Sequence, residues 1–163
     1  MAKHYNVLFL CTGNSARSIM AEAIMNLKGR PFFSAYSAGS HPAGAPRPEA
    51  LKQLDAAQIS TGGLRSKSWD EFSKPGAPHL DFVFTVCDKA AAEQCPYWPG
   101  QPMTAHWGIP DPAAVKGTHG KIERAFHDAF TVLDRRIGLF LALPLDTLQQ
   151  LAIQDEIEKI GKL

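Results

Sequence analysis

The N-terminal stretch over residues 5–28 constrains the fold more than any other part of the sequence. Residues 5–10 (YNVLFL) form an apolar, β-rich run typical of a strand buried on both faces. Residues 15–28 repeat apolar side chains at helical spacing, and a polar loop containing Gly13 and Asn14 separates the two. The stretch therefore predicts strand, loop and helix, the first half of a parallel βαβ unit.

The same alternation continues along the chain. Further strands are predicted over residues 32–38, 80–86 and 103–107, and further helices over residues 48–57 and 119–143. Short helices are predicted near residues 68–72 and 88–94. Pro144 ends the longest helix, and Asp146 is the predicted N-cap of a final one. The pattern predicts an α/β fold with four parallel strands between helix layers, and ligands beyond the C-terminal ends of the strands.

Composition bounds the classes of protein that this chain can belong to. At 163 residues, 45% of them hydrophobic, residues 1–163 are expected to form a single domain. A net charge of +1 predicts no nucleic-acid partner and no anionic membrane partner. A polar N-terminus and the lack of an apolar run of about 20 residues predict a cytoplasmic protein. The odd number of cysteines, three, favours reduced thiols with a chemical role.

The loop after the first strand places a thiol and a guanidinium at its two ends. This anion loop consists of Cys11, Thr12, Gly13, Asn14, Ser15, Ala16, Arg17 and Ser18. A loop that runs into a helix N-terminus directs N–H groups and partial positive charge inward, and Arg17 adds a bidentate fork. The same field is expected to lower the pKa of Cys11 and make it a thiolate. The loop predicts a site for a tetrahedral oxyanion with a sulfur nucleophile at its base.

The anion loop resembles that of the low-molecular-weight protein tyrosine phosphatase family, whose signature is a Cys, five residues, an Arg and a Ser or Thr. Within the family, the chain is similar to the arsenate reductases built on that fold. The similarity includes Met20-Ala21-Glu22-Ala23, Ser37-Ala38-Gly39, Thr85-Val86-Cys87-Asp88, Cys95-Pro96 and His106-Trp107-Gly108-Ile109-Pro110-Asp111-Pro112-Ala113. It spans roughly residues 5 to 135 and leaves residues 144–163 as a C-terminal helical extension, whose apolar stripe predicts core or a dimer seam.

The resemblance implies a set of residue roles. Cys11 is the nucleophile, Arg17 holds the anion, Asp111 is the general acid, and Cys87 and Cys95 carry a disulfide relay. Residues 12–18 bind arsenate, with phosphate and sulfate as analogues. Thioredoxin or a low-molecular-weight thiol supplies the electrons, and no cofactor or metal is expected.

Two other functions fit the same anion loop. A phosphomonoester hydrolase needs only Cys11, because water resolves its covalent intermediate. Tyrosine phosphatases of this fold commonly carry an aromatic pair after the Asp-Pro turn, whereas Ala113 and Ala114 stand here. The third possibility is a regulator that binds the oxyanion or arsenic without turnover.

Two further expectations concern the relay segment and a cation. If residues 88–94 are helical, Cys87 and Cys95 lie roughly 12 Å apart along the axis, whereas a disulfide needs Cα atoms within ~7 Å. The segment is therefore expected to be helical when reduced and disrupted when oxidised. Some relatives bind a structural monovalent cation, and Asn14, Glu22 and Ser37 match its ligands. Residues 64–68, however, supply basic side chains where a carboxylate ligand would lie.

Overall fold

The computed structural model describes residues 3–88, 90, 98 and 101–163. It contains a four-stranded parallel sheet in the order β2-β1-β3-β4. The strands are β1 (Tyr5–Leu10), β2 (Phe33–Ala38), β3 (Phe82–Thr85) and β4 (Met103–His106). The α-helices of the described part are α1 (Arg17–Lys28), α2 (Pro48–Ala56), α3 (His119–Leu141) and α4 (Gln150–Ile160). The predicted α/β fold with four parallel strands is confirmed.

The first strand is buried on both faces, as the sequence predicts. Val7 and Phe9 face the larger hydrophobic cluster, to which all four helices contribute. Leu8 and Leu10 face a smaller cluster that includes Phe72 of a short 3-10 turn. The predicted helix over residues 88–94 lies outside the described residues, apart from 88 and 90.

Aromatic side chains tie the sheet to the segment that follows β4. The rings of Phe84 and Trp107 stack with centroids 3.9 Å apart. Phe140 of α3 packs edge-on against both, at 5.3 Å and 6.0 Å. Because Trp107 is completely buried, the chain just after β4 is fixed by the core rather than exposed as a free loop.

Several boundaries differ from the expected ones. Helix α1 begins at Arg17 rather than near residue 15, because the residues before it form a loop in which Asn14 has a φ of 46°. The predicted N-cap at Asp146 is wrong: α4 begins at Gln150, after Gln149. The Asp146 carboxylate instead accepts a hydrogen bond from Tyr5. The apolar stripe of α4 is core, since Ile153, Ile157 and Ile160 join the larger cluster.

Within the described residues, no helix has both the length and the apolar character that crossing a bilayer requires.

Candidate active site

The anion loop turns its carbonyl groups away from the cleft. The Thr12 carbonyl accepts from the His41 N–H, the Gly13 carbonyl from the Ala43 N–H, and the Ser15 carbonyl from the Arg47 N–H, at 2.8–2.9 Å. The two polar groups of a trans peptide unit point in opposite directions. The N–H groups of the next residues therefore point inward, towards the space in front of Cys11.

Two features give the loop its shape and its affinity for anions. The buried Asn14 side chain donates to the Ser18 hydroxyl at 2.9 Å and accepts from the Lys67 N–H at 2.9 Å. Helix α1 begins with neither a side-chain cap nor an acidic residue in its first turn. The first N–H groups of a helix have no intrahelical partner and can donate to a ligand, and the helix dipole favours a negative one.

Arg17 reaches across the cleft from the start of α1. Its Nη1 donates to the Ile109 carbonyl at 2.9 Å, and its Nη2 lies 3.7 Å from Asp111 Oδ2. The other oxygen of Asp111 accepts from the Ala113 N–H at 3.0 Å. Asp111 thus caps the turn that follows it while one oxygen still faces the cleft, so the structural and the chemical interpretations of this residue are compatible.

The Cys11 and Cys87 thiols meet at the base of the cleft. Leu10, the last residue of β1, pairs with Thr85, the last residue of β3, so the residues that follow both strands emerge side by side. The two buried sulfurs form a hydrogen bond with each other. Cys87 therefore follows the strand that pairs directly with the strand leading to Cys11.

The hydrogen bond between the thiols separates their pKa values. The hydrogen bond that Cys11 donates lowers the pKa of Cys87 to about 5. Burial opposes this shift, whereas the Ala90 N–H and the Thr12 hydroxyl add to it. The same contact and burial raise the pKa of Cys11, and the charge of Arg17 offsets this only in part. This contact therefore favours the proton on Cys11 and the negative charge on Cys87. The expected lowering of the Cys11 pKa by Arg17 is thus opposed by the contact with a second thiol.

A cleft of about 490 Å³ collects most of the predicted site residues. It is lined by Cys11, Thr12, Gly13, Asn14, Ser15, Ala16, Arg17, Cys87, Asp88, Ile109, Pro110, Asp111 and Ala113. Ser18 lies behind the loop, buried against Asn14. Cys95 lies outside the described residues, so its predicted place in the relay stays a prediction.

Comparison with known proteins gives this arrangement a family. The family described as low molecular weight phosphotyrosine protein phosphatase matches residues 6–152. The chain belongs to this family. The match covers β1 from its second residue, the other three strands and every described lining residue of the cleft.

Members and neighbours of the family with similar chains include arsenate reductases. One from Bacillus licheniformis is 37% identical over 82% of this chain and 93% of its own. A solved arsenate reductase in the phosphate-binding state is 23% identical, with a TM-score of 0.70 over 85% of this chain and 97% of that one. A thioredoxin-dependent arsenate reductase of Corynebacterium glutamicum is 22% identical, with a TM-score of 0.56 over 84% of this chain and 63% of that one. The predicted resemblance to arsenate reductases of this fold is confirmed.

The cation site that some members of the phosphatase family use does not fit this chain. Ser37 donates to Glu22 at 2.6 Å, so two of the residues that match the cation ligands lie together. The Lys67 ammonium, however, lies 3.6 Å from the same carboxylate oxygen. Lys67 Nζ also donates to the Arg65 carbonyl at 2.9 Å. Only 7% of the Lys67 side chain is exposed, so this lysine supplies the positive charge from within the fold.

Two polar residues behind the cleft make contacts that sequence reasoning did not predict: His106, which belongs to a motif of the family resemblance, and Arg136, which was missed. His106 bridges Thr85 and Asp88 through its two ring nitrogens, at 2.8 Å and 2.7 Å. Arg136 is buried on the apolar stripe of α3. Its place in the helical repeat of apolar residues is the signal from which its burial could have been predicted. In the described ranges, no three His, Cys, Asp or Glu side chains are grouped closely enough to hold a metal ion.

Replacing Cys11 by alanine tests which thiol carries the charge. In a Cys95→Ser background, the pKa of Cys87 should rise from about 5 towards the ordinary thiol value of about 8.5, because its main hydrogen-bond donor is lost. The parent then holds a thiolate at pH 7 and the variant holds a thiol. Titration of the ultraviolet thiolate absorbance measures both. An unchanged low pKa in Cys11→Ala would contradict the assignment, and Cys87→Ala is the matched control, in which the pKa of Cys11 should fall.

Replacing Lys67 by alanine tests the internal cation. Removing one partner of a buried ion pair costs about 3–5 kcal/mol, so the free energy of unfolding in choline chloride should fall by that order. Potassium should restore part of it, because Glu22, Ser37 and the Arg65 carbonyl would then surround a cavity with oxygen ligands. The control is Lys52→Ala, which removes an exposed pair with Glu123 and should change little. Equal losses in the two variants, or no effect of potassium, would contradict this account.

Proposed function

We propose that this protein is an arsenate reductase that transfers two electrons from the Cys11–Cys87 thiol pair to arsenate. The observation that carries the proposal is the hydrogen bond between two buried thiols at the base of an anion loop. A hydrolase of this family needs one thiol there, whereas a thiol-dependent reductase needs a second sulfur that can attack the first. Relatives that are 33–37% identical to this chain are named arsenate reductases.

Binding begins with the anion loop and Arg17. The inward N–H groups of the loop, the start of α1 and the guanidinium receive the oxygens of arsenate, and phosphate and sulfate bind as analogues. Because Arg17 is oriented by the Ile109 carbonyl, its fork is held in place before the oxyanion arrives. Such preorganised donors stabilise the charge that builds up on the oxygens during attack.

In the first step, Cys11 Sγ attacks arsenic and its proton passes to the Cys87 sulfur along the hydrogen bond between them. One As–O bond breaks, and the departing hydroxyl leaves as water after taking a proton from Asp111. The product is a Cys11 thioarsenate adduct with a neutral Cys87 thiol. Arsenic is still As(V) at this stage.

In the second step, Cys87 releases its proton to solvent and its sulfur attacks Cys11 Sγ. The S–As bond breaks, and its two electrons stay with arsenic, which leaves as arsenite, As(III). The two thiols are oxidised to the Cys11–Cys87 disulfide, so the electrons balance.

The disulfide must then leave the cleft before another turnover. By the family resemblance, Cys95 attacks Cys87, frees the Cys11 thiol and forms a Cys87–Cys95 disulfide. We propose thioredoxin as the protein that reduces it, with a low-molecular-weight thiol as the other candidate, and the cytoplasm as the compartment. A similar solved structure belongs to a thioredoxin-dependent arsenate reductase, which supports the first donor.

Tyrosine phosphatase activity is the second candidate function, because the matching family carries that description. The wall of the cleft argues against it. Around Asp111 the described lining offers Pro110 and Ala113, and none of the described lining residues is aromatic. A phosphotyrosine ring would find no stacking partner among them.

Arsenite release by wild type and two cysteine variants tests the proposal. With reduced protein and no added reductant, wild type and Cys95→Ser should each release about one arsenite per chain, because the Cys11–Cys87 disulfide still forms. Cys87→Ser should release none. With thioredoxin, its reductase and NADPH, only wild type should turn over repeatedly. A parallel assay with glutathione and glutaredoxin identifies the donor.

Hydrolysis of p-nitrophenyl phosphate separates the two candidate functions. A reductase with an incidental phosphatase activity keeps that activity in Cys87→Ser while losing arsenite release. If wild type yields no arsenite with any thiol donor but hydrolyses the phosphate ester, the chain is a phosphatase and the reductase proposal is overturned.

A further inference from the structure

The C-terminal helix α4 extends beyond the part of the chain that the family description matches. That match ends at residue 152, near the start of α4 (Gln150–Ile160). The far end of this helix nevertheless lies against the segment between β4 and Asp111. The contacts join a feature outside the family match to the wall of the cleft.

Gly161, the residue that follows α4, packs closely against the backbone of His106. A Cβ atom on Gly161 would lie 2.3 Å from the His106 carbonyl oxygen and 2.8 Å from the Trp107 ring. The Trp107 indole N–H donates to the Ile157 carbonyl of α4 at 2.9 Å, in a buried hydrogen bond. The position of Trp107 is therefore set by α4 as well as by the aromatic core.

Two arginines donate hydrogen bonds to the backbone carbonyl groups of residues 107–109. Arg136 of α3 donates to the Trp107 and Gly108 carbonyls at 2.7 Å and 3.2 Å. The next carbonyl, that of Ile109, accepts from Arg17. Three successive carbonyl groups thus accept from guanidinium groups, one behind the cleft and one inside it.

Arg136 also reaches the residues after α4. Its Nη2 donates to the Leu163 carbonyl at 3.2 Å, and it is 6% exposed. The partners that the structure gives this guanidinium in the described part of the chain are all carbonyl oxygens. Leu163 and the 107–109 segment therefore share one buried donor, Arg136. A displacement of Leu163 affects the 107–109 segment, and the reverse also holds.

We propose that α4 is a positioning element of the oxyanion site: through Gly161, Trp107 and Arg136 it fixes the Ile109 carbonyl that orients Arg17. The proposal rests on the proposed function in one respect, the role of Arg17 in holding the anion. Arg17 contacts the anion, whereas Gly161, Trp107 and Arg136 act on it only through the 107–109 backbone.

The test compares two glycine substitutions in the full chain. Gly161→Ala forces α4 away from His106 and Trp107, whereas Gly138→Ala adds a methyl group to α3 where no atom lies within 4 Å. We expect the Kd of phosphate, measured by calorimetry, to rise roughly tenfold in Gly161→Ala, the effect of misplacing a charged donor. Gly138→Ala should bind phosphate as wild type does. The arsenate KM should follow the phosphate Kd.

A second variant covers the case in which Gly161→Ala does not fold. Trp107→Phe keeps an aromatic ring beside Phe84 but loses the N–H that reaches α4, and its phosphate Kd should also rise.

The outcomes distinguish a failure of the inference about α4 from a failure of the proposed anion site. If Arg17→Lys binds phosphate as tightly as wild type does, the proposed anion site is wrong. If Arg17→Lys weakens binding but folded Gly161→Ala and Trp107→Phe lose thermal stability alone, with an unchanged phosphate Kd, α4 is merely structural and the inference is overturned.

Discussion

The direct pairing of β1 with β3 is the constraint on which the site depends. Both strands run in the same direction and end opposite each other at Leu10 and Thr85, so Cys11 and Cys87 leave the sheet at one edge. A strand inserted between them would separate their backbones by about two strand spacings, roughly 9–10 Å. That exceeds the ~7 Å between Cα atoms within which a disulfide forms. The redox chemistry therefore begins as a property of strand order.

The second constraint is the way in which backbone polar groups are distributed around the anion loop. The carbonyls of Thr12, Gly13 and Ser15 are satisfied by the neighbouring segment, and α1 has no cap of its own. The protein thus leaves donors on one side and fills acceptors on the other. Such a loop favours a ligand made of acceptors only, and a tetrahedral oxyanion has this property.

Much of this arrangement is predictable from the sequence, because it depends on periodicity and on order along the chain. The double burial of β1, the parallel sheet and the nearness of Cys87 to Cys11 all follow from apolar runs that end in polar residues. What stays hidden depends on single side chains that cross between distant segments. Lys67 reaches Glu22 from a loop 45 positions away in sequence, by subtraction of the residue numbers, and its burial overrides the general expectation that lysine is exposed.

The proton on Cys11 shows the same limit at the centre of the site. A helix N-terminus and Arg17 both favour a Cys11 thiolate, and sequence reasoning includes only these two effects. At the base of the cleft, Cys87 accepts from the Ala90 N–H in addition to the Cys11 thiol, and both contacts favour the negative charge on Cys87. The ionisation of one cysteine is therefore decided by contacts of the other.

Selectivity between arsenate and phosphate follows from the same pair of thiols rather than from the anion loop. The two oxyanions share charge and shape, so backbone N–H groups and one guanidinium distinguish them poorly. The second step is different, because attack of Cys87 on Cys11 requires the atom bonded to Cys11 to accept two electrons. As(V) accepts them and leaves as As(III), whereas phosphorus in phosphate does not undergo this reduction under such conditions. In the proposed mechanism, an anion loop that binds both passes only arsenate on to the disulfide.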